Sequence, residues 1–272
     1  MADSRSMQLK DEGNRYFGQK DYVSAESLYS KALIADPKNQ ALYTNRAMAR
    51  LKLELWDAVV SDCQDALSLN PDNMKASYYL SQALLPLGDF DGAVAAGLRA
   101  HARCVATGDR SLPAVTTQVL RCKKERWAHK EKVRRREARY LEEETLDLTA
   151  RAKARALDEA ETAAEREELE AEWDRKLDEL RRVFERSRDK ADQRREVPDW
   201  VIDDISFGIM VDPVITKMGK SYERASIMEH LRRHPSDPLT REPLNAADLR
   251  PNLALRQACE EFLDENGWAV DW

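Results

Sequence analysis

Two groups of side chains in this sequence could bind a partner or support a reaction, and the first combines cations with amides. Lys10 and Asn14 are four residues apart, so they share one face of a predicted helix. Asn45 lies on a second predicted helix, and Lys75 begins a third, on which Tyr79 follows four residues later. Ammonium groups attract carboxylates, and asparagine amides donate hydrogen bonds to them. The group therefore indicates a site for a carboxylate ligand, unless these are ordinary surface residues.

The second group places apolar side chains and an arginine in loops near the C-terminus. Ile205 and Phe207 are two residues apart, and Arg241 follows Pro238 by three. Apolar side chains exposed in loops are typical of a small, transient protein interface. Ile205 could equally belong to the core, and Arg241 could be a solvated surface arginine.

Neither group contains a nucleophile or a set of metal ligands. Cys259 lies on an apolar helical face, which favours a core position over a catalytic one. With His230 and His234 it supplies too few ligands for two tetrahedral zinc sites. We therefore expect no metal and no cofactor, and a reducing compartment. The four cysteines are scattered without CxxC spacing: Cys63, Cys104, Cys122 and Cys259.

The composition limits the classes of protein to which the chain can belong. Charged residues make up 35% of the sequence and the mean hydropathy is -0.69. No apolar run is long enough to span a bilayer, and the first thirteen residues lack the apolar core of a secretory signal. We expect a cytoplasmic protein that binds no membrane, with the nucleus left open as a second compartment. The net charge of -6 argues against a nucleic-acid partner.

The elements that position the first group repeat along the chain. Ala32, Ala66 and Ala100 are 34 residues apart, and so are Pro37 and Pro71. This is the period of tetratricopeptide repeats, in which pairs of helices stack around one core. We predict three such repeats in a domain of residues 1–112. The first repeat matches the family signature at Gly13, Tyr16, Ala25, Tyr29, Ala32 and Pro37.

A charged segment separates the two groups. Residues 114–197 contain no Gly or Pro, and more than half of them are charged. This composition predicts long, exposed helices over residues 113–197. Their apolar seam must be covered by a neighbouring helix or by a second copy of the chain, and we expect a helical hairpin that dimerises. The seam consists of Leu169, Trp173, Leu177, Leu180 and Phe184.

The last segment, residues 198–272, alternates proline-punctuated loops with two predicted helices, Ala225–Arg233 and Leu253–Asn266. Its ordered short motifs resemble the U-box, which has the outline of a RING domain without the metals. The whole chain is thus predicted to be mostly α: a three-repeat superhelix, a charged helical hairpin and a small α+β U-box. The motifs that carry the resemblance are Ile205–Phe207, Asp212-Pro213, Tyr222–Arg224, His230-Leu231, Asp237–Arg241, Pro243-Leu244, Pro251-Asn252 and Asn266–Trp268.

The repeats resemble the carboxylate clamp of chaperone-binding tetratricopeptide domains. That resemblance implies a site for the acidic C-terminal tail of the seventy- and ninety-kilodalton heat-shock chaperones. The family usually has an arginine where this chain has Tyr79, so Tyr78 and Tyr79 could instead flank the apolar residue of the tail. The implied tail-binding residues are Lys10, Asn14, Asn45, Lys75, Tyr78 and Tyr79.

The U-box resemblance implies a reaction. Ile205, Phe207 and Pro238 would form the surface for a ubiquitin-conjugating enzyme, and Arg241 would contact both that enzyme and its ubiquitin as the catalytic residue. The ligase would act by proximity and orientation, without a covalent intermediate.

The order of the three segments resembles that of the chaperone-associated U-box ubiquitin ligases. The resemblance implies a homodimeric co-chaperone that ubiquitinates misfolded, chaperone-bound clients for the proteasome. One alternative is a non-enzymatic chaperone adaptor with a degenerate U-box. A second is a nucleic-acid-binding scaffold using the basic run of residues 121–136, although acidic Glu142–Glu144 follow at once.

Overall fold

The computed structural model describes residues 2–192 and 196–272, without the side chains of residues 2–4 and 188–192. Its contacts define two compact units, of which the first joins Met1–Ala128 to Pro198–Trp272 and the second is His129–Val197. The helices in the described residues are α1 (Ala2–Gly18), α2 (Tyr22–Ala35), α3 (Gln40–Lys52), α4 (Trp56–Leu69), α5 (Met74–Leu84), α6 (Phe90–Thr107), α7 (Leu112–Asp158), α8 (Ala163–Asp192), α9 (Arg224–Arg233) and α10 (Leu253–Glu265).

Helices α1 to α6 form three antiparallel pairs, as the 34-residue period predicts. The alanines that define the period, Ala32, Ala66 and Ala100, are fully buried, because a larger side chain would hold the stacked helices apart. Gly13 has a related role in the first pair. A Cβ atom at Gly13 would lie 2.7 Å from the ring of Tyr29, so only glycine allows α1 and α2 to approach this closely.

Side-chain caps define where several of these helices begin. The carboxylate of Asp21 accepts from Ser24 N–H at 3.0 Å, and the amide of Asn73 accepts from Ala76 N–H at 3.0 Å. The third repeat lacks the closing proline and ends differently. Gly108 adopts a left-handed conformation with φ of 63°, which turns the chain from α6 towards α7.

An ion network that the sequence analysis did not identify joins the first two repeats. Asp62 on α4 is fully buried and binds Arg46 at 2.6 Å and Arg50 at 3.0 Å. Arg50 also binds Glu26 of the first repeat at 2.6 Å. Burial raises the pKa of Asp62, although both guanidinium groups oppose that shift. A buried charge is tolerated here because it has two cationic partners.

The second unit is a hairpin made by the later part of α7 and by α8. Lys153 of α7 donates to Asp174 of α8 at 2.5 Å, so the two helices are neighbours. Leu177 is only 9% exposed and the other four seam residues are half-buried, which agrees with the prediction of a covered seam. No helix in the described ranges is long and apolar enough to span a bilayer.

Residues 198–272 fold around a small antiparallel sheet. Strand β1 (Pro213–Ile215) lies between β2 (Ser221–Glu223) and β3 (Arg250–Pro251). Val214 faces Tyr222 on one side and Pro251 on the other. The two predicted helices are confirmed to within one residue, as α9 and α10. The fully or almost fully buried core residues include Val214, Tyr222, Ile227, Leu244, Cys259 and Leu263.

Candidate functional site

The structure brings two of the predicted tail-binding amides into contact. Tyr29 donates to Asn14 Oδ1 at 2.9 Å, and Asn45 Nδ2 donates to the same oxygen at 3.3 Å. These two hydrogen bonds orient the Asn14 amide through its Oδ1 atom. Its Nδ2 atom is the donor that could bind a ligand carboxylate. Lys10 on the same helix is half-buried, and Lys75 on α5 is exposed. The first helices of successive repeats therefore present cations and amide donors.

Tyr79, which replaces the arginine usual in the clamp, is held by its neighbours. Its hydroxyl donates to Met48 Sδ at 3.2 Å, and its ring centroid lies 5.8 Å from that of Tyr78. Burial raises the pKa of Tyr79, so its hydroxyl stays neutral. This position therefore provides an apolar wall in place of a cation.

Tyr78 and Tyr79 line a cavity of about 590 Å³ between the second repeat, the third repeat and α7. Trp56 and Phe90 contribute further aromatic surface. The polar lining residues include Lys52, Gln82, Arg121 and Glu125. Lys10 and Lys75 are not among its lining residues, so the predicted set divides into a polar part and an apolar part.

Part of the basic run on α7 is neutralised by the C-terminal residues of the chain. Lys123 is only 4% exposed and lies 3.5 Å from Glu260. Lys124 pairs with Asp271, and Arg126 pairs with Asp264. These contacts remove the continuous cationic surface that a nucleic-acid scaffold would need at residues 123–126. They are intramolecular contacts that sequence analysis missed, since about 137 to 147 residues separate the partners.

Two loops in residues 198–272 share the same hydrogen-bond pattern, and each begins with an aspartate. The first of them, Asp203–Gly208, is called the first Asp loop. Asp203 N–H donates to the carbonyl of Gly208 at 2.9 Å, and Phe207 N–H donates to the carbonyl of Asp203 at 2.8 Å. The Asp203 carboxylate accepts from Ser206 N–H at 2.9 Å and from its hydroxyl at 2.7 Å. Phe207 has a left-handed backbone, with φ of 56°.

The second Asp loop, Asp237–Glu242, repeats this pattern position by position. Asp237 N–H donates to the carbonyl of Glu242 at 2.8 Å, and Arg241 N–H donates to the carbonyl of Asp237 at 2.9 Å. The Asp237 carboxylate accepts from Thr240 N–H at 3.0 Å. Arg241 also has a left-handed backbone, with φ of 60°. Phe207 and Arg241 thus occupy the fifth position of equivalent loops, and a left-handed non-glycine residue is often found at functional sites.

Strand β2 is hydrogen-bonded to both loops. The N–H of Glu223 donates to Asp203 at 2.9 Å, and the hydroxyl of the preceding residue, Tyr222, donates to Asp237 at 3.1 Å. Ser226 on α9 adds a hydrogen bond to Asp203 at 2.6 Å. Two consecutive residues of β2 therefore hold both loops in position.

Two further buried carboxylates, those of Asp212 and Glu223, lie where β1 begins and where β2 ends. Asp212 binds Arg224 at 2.6 Å and also pairs with Arg256 of α10. Glu223 accepts hydrogen bonds from the N–H groups of Val211 at 2.7 Å and Asp212 at 2.9 Å. Burial raises the pKa of Glu223 to about 7, although these hydrogen bonds oppose the shift. Its charge therefore changes near neutral pH.

The predicted loop residues differ in exposure. Phe207 is 73% exposed and Arg241 is exposed, so both can reach a partner. Pro238 is half-buried, and Ile205 is half-buried because it packs on the core cluster around Val214. Leu239, at 59% exposure, is an exposed apolar residue that the sequence analysis missed. Its signal was its place beside Pro238, in the loop position equivalent to Ile205.

Within the described part of the chain, no three His, Cys, Asp or Glu residues are grouped so that they could hold a metal ion. The chain matches the U-box domain family over residues 197–268. The solved structure "First TPR of Spaghetti (RPAP3) bound to HSP90 peptide SRMEEVD" is similar to part of this chain, with 31% sequence identity and a TM-score of 0.37. The matched region covers 42% of this chain and 92% of the chain in that structure.

Two relatives match longer stretches of this chain. The Hsp70/Hsp90 co-chaperone CNS1 of Saccharomyces cerevisiae is 31% identical over 144 residues, which are 52% of this chain and 37% of CNS1. The E3 ubiquitin-protein ligase CHIP of Arabidopsis thaliana is 33% identical over 272 residues, covering 99% of this chain and 97% of the relative. The chain therefore belongs to the CHIP family of U-box E3 ubiquitin-protein ligases.

Proposed function

We propose that this ligase binds the acidic C-terminal tail of heat-shock chaperones in its repeat groove and recruits a ubiquitin-conjugating enzyme through its two Asp loops. Ubiquitin then passes to a misfolded client that the chaperone holds. The paired loops, which present Phe207 and Arg241 from equivalent positions, are the observation that carries the proposal. Family membership supports the ligase reaction, and the similarity to a yeast co-chaperone supports the chaperone partner.

The two loop residues have different tasks in this proposal. Phe207 provides binding energy, because 73% of its side chain is exposed and can be buried by a partner. Arg241 provides a cation that bridges the enzyme and its thioester-linked ubiquitin. A contact completed only in the reactive arrangement lowers the barrier without dominating ground-state binding. No residue of the ligase needs to form a covalent bond, since its contribution is to orient the thioester and the attacking lysine.

Lysine-stimulated discharge of a ubiquitin-loaded conjugating enzyme tests the two tasks separately. Phe207→Ala should weaken binding of the unloaded enzyme about tenfold or more and abolish discharge. Arg241→Ala should slow discharge by about 10²-fold, while the affinity for the unloaded enzyme changes less than about threefold. Leu253→Ala and Lys217→Ala are matched controls, because both residues are exposed outside the loops. Discharge at the wild-type rate by either loop variant would contradict the assignment.

A free-acid tail peptide tests the groove. Lys10→Ala and Asn45→Ala should each reduce its affinity by about ten- to a hundredfold, since each removes a charge-assisted hydrogen bond of about 1.5–3 kcal/mol. Lys31→Ala, on the second helix of the first repeat, should have no effect. Equal binding of an amidated peptide would exclude recognition of the terminal carboxylate.

We also propose that the ligase is a homodimer located in the cytoplasm, with the nucleus left open. The exposed apolar residues of the hairpin, which include Tyr140, Leu141 and Leu148, support self-association. Light scattering should give twice the 31.2 kDa mass of one chain at micromolar concentration. A mass of one chain at that concentration would exclude a stable dimer.

A further inference from the structure

The first turns of α7 differ in charge from the rest of that helix. Residues 112–120 contain no charged side chain, whereas more than half of residues 114–197 are charged. Pro113, Thr116, Thr117 and Leu120 recur at helical spacing and therefore lie on one face. The sequence thus places a short neutral face on an otherwise charged helix.

This neutral face forms one wall of a cavity of about 600 Å³. The opposite wall includes Ile205, Ser206 and Gly208 of the first Asp loop, together with residues of α9, of which Glu229 and Arg233 are charged. Ser206 and Gly208 are the immediate neighbours of Phe207. The neutral face therefore borders the loop that carries Phe207, although Phe207 itself does not line the cavity.

The hydroxyl groups on the neutral face are already hydrogen-bonded within the helix. Thr116 donates to the carbonyl of Leu112 at 3.0 Å, and Thr117 donates to the carbonyl of Pro113 at 3.0 Å. A partner that covered this face would not have to satisfy or desolvate those donors. The face therefore resembles the apolar centre of a protein interface more than a solvated helix surface.

Contacts further along α7 fix the position of this wall beside the loop. Trp127 donates to the carbonyl of Glu265 at 2.9 Å and packs against Gly267, where a Cβ atom would collide with its side chain. Lys124 and Arg126 add their ion pairs with Asp271 and Asp264. The neutral face is consequently held next to the loop by the fold.

We propose that the conjugating enzyme contacts the neutral face of α7 as well as the Asp loops. This inference rests on the proposed function, because it extends the same recruitment surface. The occupant is a conjugating enzyme because Ile205, Ser206 and Gly208, the residues around Phe207 in the first Asp loop, line the same cavity as the neutral face. Pro113, Thr117 and Leu120 then determine part of the affinity for that enzyme, although they belong to the repeat side of the molecule.

The test uses the full-length chain and an unloaded conjugating enzyme selected because it supports autoubiquitination by the unmodified ligase. Thr117→Glu places a charge in the cavity and should weaken binding about tenfold, and Leu120→Ala should weaken it about threefold. Ala114→Glu is the matched control, since it adds the same charge to an exposed residue of the same helix that does not line the cavity. Its affinity should stay within about twofold of the unmodified chain. Circular dichroism verifies that each variant is folded.

Two results would overturn the inference. Unchanged affinity of Thr117→Glu and Leu120→Ala, measured beside a Phe207→Ala variant that does lose binding, would restrict the enzyme to the loops. Tighter binding by Thr117→Glu would mean that α7 obstructs the enzyme instead of contacting it. If Phe207→Ala binds normally, the failure lies in the proposed recruitment surface itself.

Discussion

The two Asp loops have the same backbone hydrogen bonds but present different side chains. In both loops the aspartate accepts from the N–H of a hydroxyl residue three positions later, and the residue after that is left-handed. The fifth residue is an aromatic ring in one loop and a guanidinium in the other. The comparison shows that the turn is set by aspartate and backbone, so the fifth position is available for different tasks in binding and in catalysis.

The loops also differ in how firmly they are braced. Asp203 accepts four hydrogen bonds through its two oxygens, from Ser206 N–H, the Ser206 hydroxyl, the Ser226 hydroxyl and Glu223 N–H. Asp237 accepts three hydrogen bonds through Oδ1 alone, and its buried Oδ2 has no partner among the described residues. The first loop should therefore depend more strongly on its aspartate than the second.

Removing each aspartate should give the largest effect and should rank the loops. We expect Asp203→Ala to lower the free energy of unfolding of residues 198–272 by about 3–5 kcal/mol, because it leaves buried donors without an acceptor. Asp237→Ala should cost about 2–3 kcal/mol. Hydrogen exchange of peptides from this region in a urea series measures both changes. Asp204→Ala is the control, since it breaks only a surface ion pair with Lys220, and should cost less than about 1 kcal/mol. Equal losses for both aspartates would show that the loops are braced alike.

A pH series should affect Glu223 and the second Asp loop in opposite directions. The pKa of Glu223, whose carboxylate accepts from the N–H groups of Val211 and Asp212, is raised to about 7 by burial, so its stabilising contribution is present below pH 4.5 and is lost as the pH rises through 7. We expect the free energy of unfolding to fall by about 1–3 kcal/mol between pH 5 and pH 8, and Glu223→Gln to reduce that slope.

The second loop should respond to acid instead. Burial raises the pKa of Asp237, but hydrogen bonds from Thr240, Leu239 and Tyr222 outweigh burial and lower it overall. Its contribution is therefore present above pH 3.8 and is lost as the pH falls through the lowered pKa. Hydrogen exchange of peptides that contain Val211 and Asp212 and of peptides from the second Asp loop, measured across the pH series, follows the two regions separately. A common pH dependence in both regions would contradict this distinction.

Glycine at the fifth position should give the smallest effect. Phe207→Gly and Arg241→Gly should each raise the free energy of unfolding by about 0.5–1 kcal/mol relative to the alanine variants, because glycine adopts a left-handed backbone without strain. Both glycine variants should still lose ubiquitin discharge. Urea unfolding of the four variants measures the difference, and a glycine variant less stable than its alanine counterpart would show that the backbone is not strained.

The repeats and the predicted helices could be derived from the sequence because they depend on local pattern. The 34-residue period correctly identified the buried Ala32, Ala66 and Ala100, and the U-box motifs identified Phe207 and Arg241 as exposed loop residues. The roles of the predicted clamp and loop residues stay predictions.

The loop equivalence was missed, although a weak signal was present in the sequence. Asp203 and Ser206 have the same spacing as Asp237 and Thr240, but both pairs contain common turn residues. The buried Asp62 network and the pairing of Lys123 with Glu260 join residues far apart in the chain. Such contacts depend on how helices pack, which residue spacing does not specify.

The brace of carboxylates and backbone amides has a consequence for how the ligase withstands oxidants. A RING-type loop held by thiolates would lose its support when those sulfurs were oxidised, whereas hydrogen bonds to Asp203 and Asp237 contain no oxidisable atom. The cysteines that the chain does possess are buried. Burial raises the pKa of Cys63 to about 12, and the pKa values of Cys104, Cys122 and Cys259 to about 11. Such thiols stay protonated and unreactive at neutral pH. We therefore expect the two Asp loops to keep their structure in peroxide at concentrations that disrupt thiolate-held loops.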